Sequence, residues 1–137
     1  MAHRTSATQL DKLKRLPPDA FENLTYDLLF LSGLRNLRWR TPSADGGRDI
    51  EGEFSVIDFS GETNVQKWYI ECKRYAQTLN WPTVYEKLAI AENHHADYLL
   101  FVTTSNFSVP CRDEVERHNK ARRVKIRIWP FYELAVQ

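Results

Sequence analysis

Hydrophobic and polar positions alternate with a period of two in the middle of the chain. From about residue 48 to residue 59, Ile50 and Phe54 would face one side of a strand and acidic residues the other. The same alternation returns over residues 67–75, after turn-forming residues at 61–64. This pattern predicts an antiparallel β-hairpin.

A period near 3.6 residues predicts three helices. The first begins near Pro18 and ends at Gly33, and its apolar positions recur at helical spacing: Phe21, Leu24, Leu28 and Leu31. The second covers about residues 81–95, with an apolar stripe formed by Val84, Leu88 and Ala91. The third begins at Ser108, before a proline, and runs to about residue 122.

Two further strands follow from the apolar pattern in the second half of the chain. Residues 98–103 form a continuous apolar run, which is typical of a strand covered on both faces. Residues 124–128 alternate, and residues 131–134 could add a short closing helix. The order helix, strand, strand, helix, strand, helix, strand predicts an α/β sandwich with a mixed central sheet flanked by helices.

Length and composition favour one soluble domain. The 137 residues suffice for a single core, and we expect one domain over residues 1–137 with its core at about 18–134. Hydrophobic residues make up 42% and charged residues 27%, with no apolar run of membrane-spanning length and no apolar segment typical of a signal peptide. The two cysteines are too few for a disulfide framework, so we expect a cytoplasmic protein.

Net charge limits the kind of nucleic-acid binding that the chain could show. A formal charge of +1 argues against a protein coated in positive charge. Basic residues nevertheless cluster over residues 35–48 and 120–127. Such clusters suit phosphate contacts, but a solvated face explains them equally well.

The hairpin carries the candidate chemistry. Glu71 and Lys73 lie two residues apart in a strand and would share one face, and Asp49 at the start of the partner strand would lie close to them. Carboxylate oxygens are the ligands that Mg²⁺ prefers, and an ammonium can stabilise the charge that develops during phosphodiester hydrolysis. The sequence therefore predicts a metal-dependent nuclease site.

Structural roles compete with this interpretation. An Asp at a strand start is usually a turn residue, and Glu-x-Lys in a strand is usually a solvent-facing charge pair. Glu22 lies near the start of the first helix, where a carboxylate suits the helix dipole. Arg48, Arg74 and Tyr75 flank the site and could contact phosphate, an alternative that the sequence leaves open.

Three motifs in order resemble the Mrr-like branch of the PD-(D/E)XK restriction endonuclease superfamily. They are residues 46–50 (GGRDI), 71–75 (ECKRY) and 101–108 (FVTTSNFS), with Phe21 and Glu22 similar to that branch's first helix. The resemblance covers about residues 20–134 and implies a restriction-endonuclease-like three-layer sandwich. It also implies that Asp49, Glu71 and the carbonyl of Cys72 bind Mg²⁺ or Mn²⁺, that Lys73 is the catalytic lysine, and that Glu22 completes the site.

The resemblance implies a Mg²⁺-dependent endodeoxyribonuclease, with a role in restriction or defence against phage. One site in a compact domain suggests a homodimer or a partner-dependent enzyme that binds DNA. Two alternatives remain open at this point. One is a non-catalytic DNA-binding or assembly subunit with the same fold, and the other is a structure-specific nuclease for DNA junctions or RNA.

Overall fold

The structure is a computed structural model that describes residues 17–40, 48–73 and 77–130. Within these residues the chain forms three helices and five strands. In chain order they are α1 (Pro18–Leu31), β1 (Arg35–Trp39), β2 (Ile50–Ile57), β3 (Thr63–Lys73), α2 (Trp81–Asn93), β4 (Tyr98–Thr103), α3 (Val109–Ala121) and β5 (Lys125–Pro130).

The five strands form one mixed sheet in the order β1-β2-β3-β4-β5. Strands β1, β2 and β3 pair antiparallel, with Ile50 opposite Ile70, whereas β3, β4 and β5 pair parallel, with Glu71 opposite Phe101. The carboxyl ends of the three parallel strands therefore meet at one edge of the sheet. Because β2 runs the other way, its first residue lies at that same edge.

Helices cover both faces of the sheet. Helix α1 packs on one face, where Phe21 and Leu29 meet Ile50 and Ile70. Helices α2 and α3 pack on the other face, in a cluster that includes Leu88, Val115 and Phe101. Strand β4 contributes to both clusters, as expected for a strand whose last five residues are all buried. The predicted α/β sandwich with helices on both faces is confirmed.

Side-chain caps explain why two helices begin where the sequence predicts. The side chain of Asn80 accepts a hydrogen bond from the Thr83 N–H, and that of Ser108 accepts one from the Cys111 N–H. Each cap precedes a helix with a proline in its first turn, where the missing N–H costs nothing. None of the helices in the described residues is both long and apolar enough to cross a membrane.

Three details differ from the sequence-based prediction. Strand β1 was not predicted, because its alternating Leu37 and Trp39 are embedded in arginines and only half-buried. On α1 the buried face follows Phe21, Thr25 and Leu29, whereas Leu24 and Leu31 are exposed, so the predicted apolar stripe is wrong at those two positions. The hairpin turn is tighter than predicted, because β3 already begins at Thr63. The predicted closing helix at residues 131–134 lies outside the described residues.

Candidate functional site

Two carboxylates meet at the edge where the parallel strands end. Asp49 directly precedes β2, and the pairing of Ile50 with Ile70 brings it beside Glu71 on β3. Ile50 and Ile70 point into the core beneath α1. Asp49, one residue before Ile50, and Glu71, one residue after Ile70, therefore lie on the opposite face, beneath α2.

A lysine of α2 lies between the two carboxylates. Lys87 Nζ is 3.2 Å from Asp49 Oδ2 and 3.3 Å from Glu71 Oε1. The three side chains are largely buried, with 14%, 12% and 5% of the side-chain surface exposed for Lys87, Asp49 and Glu71. Two acidic groups from neighbouring strands thus converge on a single cation.

The surroundings keep Lys87 positively charged. Burial by itself lowers the pKa of Lys87, but the charges of Glu71 and Asp49 and the hydrogen bonds to them outweigh that effect, and the pKa lies above its ordinary value. The ammonium is therefore present at neutral pH, and it offsets much of the negative charge of the two carboxylates.

Tyr69 holds Asp49 from a second direction. Its hydroxyl donates a hydrogen bond of 2.7 Å to Asp49 Oδ2, and its ring stacks on His94 with centroids 5.4 Å apart. Burial raises the pKa of Tyr69 well above its ordinary value, and the bond to Asp49 raises it further, so the phenol stays a neutral donor. His94 in turn lies 3.3 Å from Glu51, which also contacts Arg40 at 3.3 Å.

Glu22 reaches the same edge from the other face of the sheet. It is buried, and its Oε1 accepts a hydrogen bond of 2.9 Å from the backbone N–H of Arg48. Arg48 Nε is 3.9 Å from Glu22 Oε2, and the guanidinium lies 4.3 Å from the centroid of the Trp39 ring. Glu22 is therefore not a solvated helix-start carboxylate, and it anchors the residue that precedes Asp49.

The thiol of Cys72 packs on the α1 side, away from the carboxylate pair. Its Sγ is 3.7 Å from the carbonyl oxygen of Arg48, and burial raises the pKa of the thiol well above its ordinary value. The side chain is therefore a protonated core group. The proposed metal ligand at this position was the backbone carbonyl, and that expectation stays a prediction.

The remaining predicted residues fall partly outside the described part of the chain. The backbone of Lys73 ends β3 opposite Thr103, while its side chain is not among the described atoms. Arg74 and Tyr75 lie outside the described residues, so their proposed contacts with DNA stay predictions.

Lys87 and Tyr69 are the two residues of this site that the sequence analysis did not single out. Lys87 had a signal, because it lies three residues after Val84 and four before Ala91, on the stripe that packs against the sheet. A charged residue on a buried stripe needs a partner, which the sequence did not identify. Tyr69 carried no signal beyond sharing a strand face with Glu71.

The donor set suits a hard divalent cation. Mg²⁺ is usually held by one or two carboxylates and keeps several of its waters. Asp49 and Glu71 supply two carboxylates that both contact the Lys87 ammonium. Among the described residues no group of three or more His, Cys, Asp and Glu side chains is arranged to hold a metal. Asp49 and Glu71 form a pair of described carboxylates that could hold such an ion.

Comparisons with known proteins identify the family and the fold of the chain. A family model described as a restriction endonuclease, that of the Mrr catalytic domain, matches residues 13–136. No curated protein matches. Two solved structures share the fold: the DNA modification-dependent restriction endonuclease AspBHI, with a TM-score of 0.68 at 19% identity, and the MspJI restriction endonuclease in complex with a 27-mer oligonucleotide, with a TM-score of 0.52 at 14% identity.

The two structural matches differ from this chain in length. The alignments cover 97% and 99% of this chain but only 36% and 34% of AspBHI and MspJI. The chain therefore spans about a third of the length of each.

Proposed function

Because the chain belongs to the restriction endonuclease family of the Mrr catalytic type, we propose that it hydrolyses DNA phosphodiester bonds at the edge carrying Asp49 and Glu71. One observation carries the proposal. The carboxylates of Asp49 and Glu71, from neighbouring strands, come together at the carboxyl end of β3, where both lie within 3.3 Å of the Lys87 ammonium. Two converging carboxylates are groups with which a protein can hold the divalent ion for metal-assisted attack on a phosphodiester.

Asp49 and Glu71 would hold Mg²⁺, or Mn²⁺ in its stead. The bound cation would polarise the phosphate and lower the pKa of a water molecule that attacks it. The protein's part is to keep the two carboxylates ionised and aimed at one point. The hydrogen bond from Tyr69 and the backbone pairing of β2 with β3 support that arrangement.

Lys73 would stabilise the negative charge that develops on the phosphate, because it follows Glu71 by two residues at the end of β3. Glu22 would act indirectly, through the backbone of Arg48. Its bond to the Arg48 N–H fixes the backbone that leads into Asp49, so it is a positioning residue. The backbone carbonyl of Cys72 would complete the ligand set.

DNA is the proposed substrate, and the basic residues at this edge support the proposal. Arg48 is partly exposed. Arg38 on β1 and Arg40, which follows β1, both contact Glu51 near the start of β2. With Arg74 and Tyr75 they would contact the phosphate backbone. We further propose a role in restriction or phage defence, in the cytoplasm, as a homodimer or with a partner that allows both strands to be cut.

Cleavage of supercoiled plasmid by purified protein tests the proposed function. With Mg²⁺ or Mn²⁺ we expect nicked or linear product, and none with EDTA. Asp49→Asn, Glu71→Gln and Lys73→Ala should each lower the cleavage rate by about 100-fold or more, because each removes a group that holds the cation or offsets charge in the transition state.

Matched variants separate loss of chemistry from loss of fold. Glu62→Gln removes an exposed carboxylate from the hairpin turn, and Lys67→Ala removes an exposed lysine from β3, so both should cleave like the wild type. Cleavage that survives Asp49→Asn and Glu71→Gln would refute the proposed site. Folded protein that binds DNA without cleaving it or any junction or RNA substrate would instead favour the non-catalytic subunit.

A further inference from the structure

Lys87 forms the closest described cationic contact to both proposed metal ligands. Its ammonium contacts one oxygen of Asp49 and one of Glu71 at nearly equal distances, 3.2 and 3.3 Å. It comes from α2, a different element from the two strands that carry the acids. No function assigned above uses it.

The Lys87 ammonium offsets the electrostatic repulsion between Asp49 and Glu71. Two carboxylates brought together in a largely buried position repel each other, and each loses hydration. Tyr69 contributes one neutral hydrogen bond to Asp49, which does not cancel a charge. Among the described side chains, Lys87 places a positive charge within 3.3 Å of both acids, which lets them stay ionised and close together when no metal is bound.

The same ammonium contacts the two carboxylates that would hold the divalent cation. Lys87 Nζ contacts one oxygen of each carboxylate, so a metal ion that used those same two oxygens would meet the ammonium. Mg²⁺ binds oxygen at about 2.0 to 2.1 Å, which leaves no room for an ammonium between the same two oxygens. Lysine can withdraw, because its charge sits on a flexible four-carbon stem.

We propose that Lys87 is the resident counter-ion of this site: it holds Asp49 and Glu71 together in the metal-free protein and is displaced when the divalent cation binds. This inference rests on the proposed metal site. It assigns Lys87 to competition with the metal, whereas Lys73 is assigned to the phosphate. The affinity for the metal then depends on how much more strongly the two carboxylates attract the metal ion than the Lys87 ammonium.

Two measurements without DNA test this inference. In the first, the protein is titrated with Mn²⁺ and free Mn²⁺ is measured by electron paramagnetic resonance. In the second, thermal unfolding is followed in EDTA. Lys87→Gln should bind Mn²⁺ about tenfold more tightly than the wild type, because the competing charge is gone. In EDTA it should melt at least about 5 °C lower, because the two acids lose the ammonium that offsets their repulsion, and Mn²⁺ should restore much of that loss.

Two variants control for charge and for packing. Lys120→Gln makes the same change of net charge at an exposed position of α3 and should match the wild type in both measurements. Lys87→Arg keeps a positive charge and should bind Mn²⁺ no more tightly than the wild type. Equal Mn²⁺ affinity of Lys87→Gln and the wild type would overturn the inference while leaving the metal site intact.

A double variant covers the case in which Lys87→Gln does not fold in EDTA. Adding Asp49→Asn removes the repulsion between the two carboxylates, so the double variant should fold and should melt at a higher temperature than Lys87→Gln. A double variant that also fails to fold would assign Lys87 a packing role and overturn the inference. If the wild type and Lys87→Gln both fail to bind Mn²⁺, the metal site of the proposed function fails and the counter-ion role fails with it.

Discussion

At the scale of single residues, the site depends on groups that hold Asp49 in place. Tyr69 is buried, and its hydroxyl is 2.7 Å from Asp49 Oδ2. A hydrogen bond to an ionised group is stronger than one between neutral groups. In a buried position, water does not replace a donor that has been removed. Tyr69 therefore contributes to both stability and the orientation of the carboxylate.

We expect Tyr69→Phe to lower the free energy of unfolding by about 1.5 kcal/mol or more, because the carboxylate of Asp49 loses a donor while the ring packing is kept. Urea unfolding measures this change. Tyr85→Phe is the control, because Tyr85 is exposed and should show little effect. Equal stability of the two variants would show that the bond to Asp49 carries no net stabilisation.

At the scale of elements, the β2–β3 hairpin sets the register that brings Asp49 to Glu71. Its turn is organised by Asp58, whose carboxylate accepts hydrogen bonds from the backbone N–H of Ser60 and Glu62 and from the side chains of Ser60 and Asn64. The bonds from the side chains of Ser60 and Asn64 lower the pKa of Asp58 more than its slight desolvation raises it. The ionised carboxylate is therefore the form that stabilises the turn.

This turn should make stability depend on pH in a defined direction. Because the folded pKa of Asp58 lies below the unfolded value of about 3.9, the charge stabilises the fold above that pH, and the contribution is lost as pH falls through the folded pKa. The wild type should exceed Asp58→Asn in stability at neutral pH, and the gap should close below about pH 4. Unfolding curves from pH 3 to pH 7 measure it, and a gap independent of pH would contradict this account.

At the scale of the whole molecule, the core beneath α2 and α3 lies next to the site. Phe101 on β4 is fully buried beneath α2 and α3 and lies opposite Glu71 in the parallel pairing. Its ring makes an edge contact with Phe107 with centroids 6.0 Å apart. Strand β4, which contributes Phe101 to the core, therefore pairs directly with β3, the strand that carries Glu71.

Phe101→Ala should lower the free energy of unfolding by about 3 to 5 kcal/mol, because it leaves a cavity in a closely packed core. That is a large part of the stability of a typical domain, about 5 to 15 kcal/mol, and should lower the melting temperature by roughly 10 °C. Phe59→Ala is the matched control, since Phe59 is fully exposed in the hairpin turn. Similar melting temperatures of the two variants would contradict this assignment of the core.

Much of the fold follows from patterns that lie along the chain. The apolar run of residues 98–103 coincides with β4, and the caps at Asn80 and Ser108 mark the starts of α2 and α3. These features depend on neighbours a few residues apart, so local physics determines them. Strand β1 escaped prediction because it is stabilised by pairing with β2 and not by its own composition.

The sequence by itself determined the hairpin, the helix starts and the pair of acids at Asp49 and Glu71, because alternation and turn chemistry are local. Only the tertiary structure decided that Lys87, 16 residues after Glu71 along the chain, reaches both carboxylates, and that Glu22 is buried against the backbone of Arg48. The partner of a buried charge is chosen by the packing of helices on the sheet. That packing brings together residues whose separation along the chain carries no periodic signal.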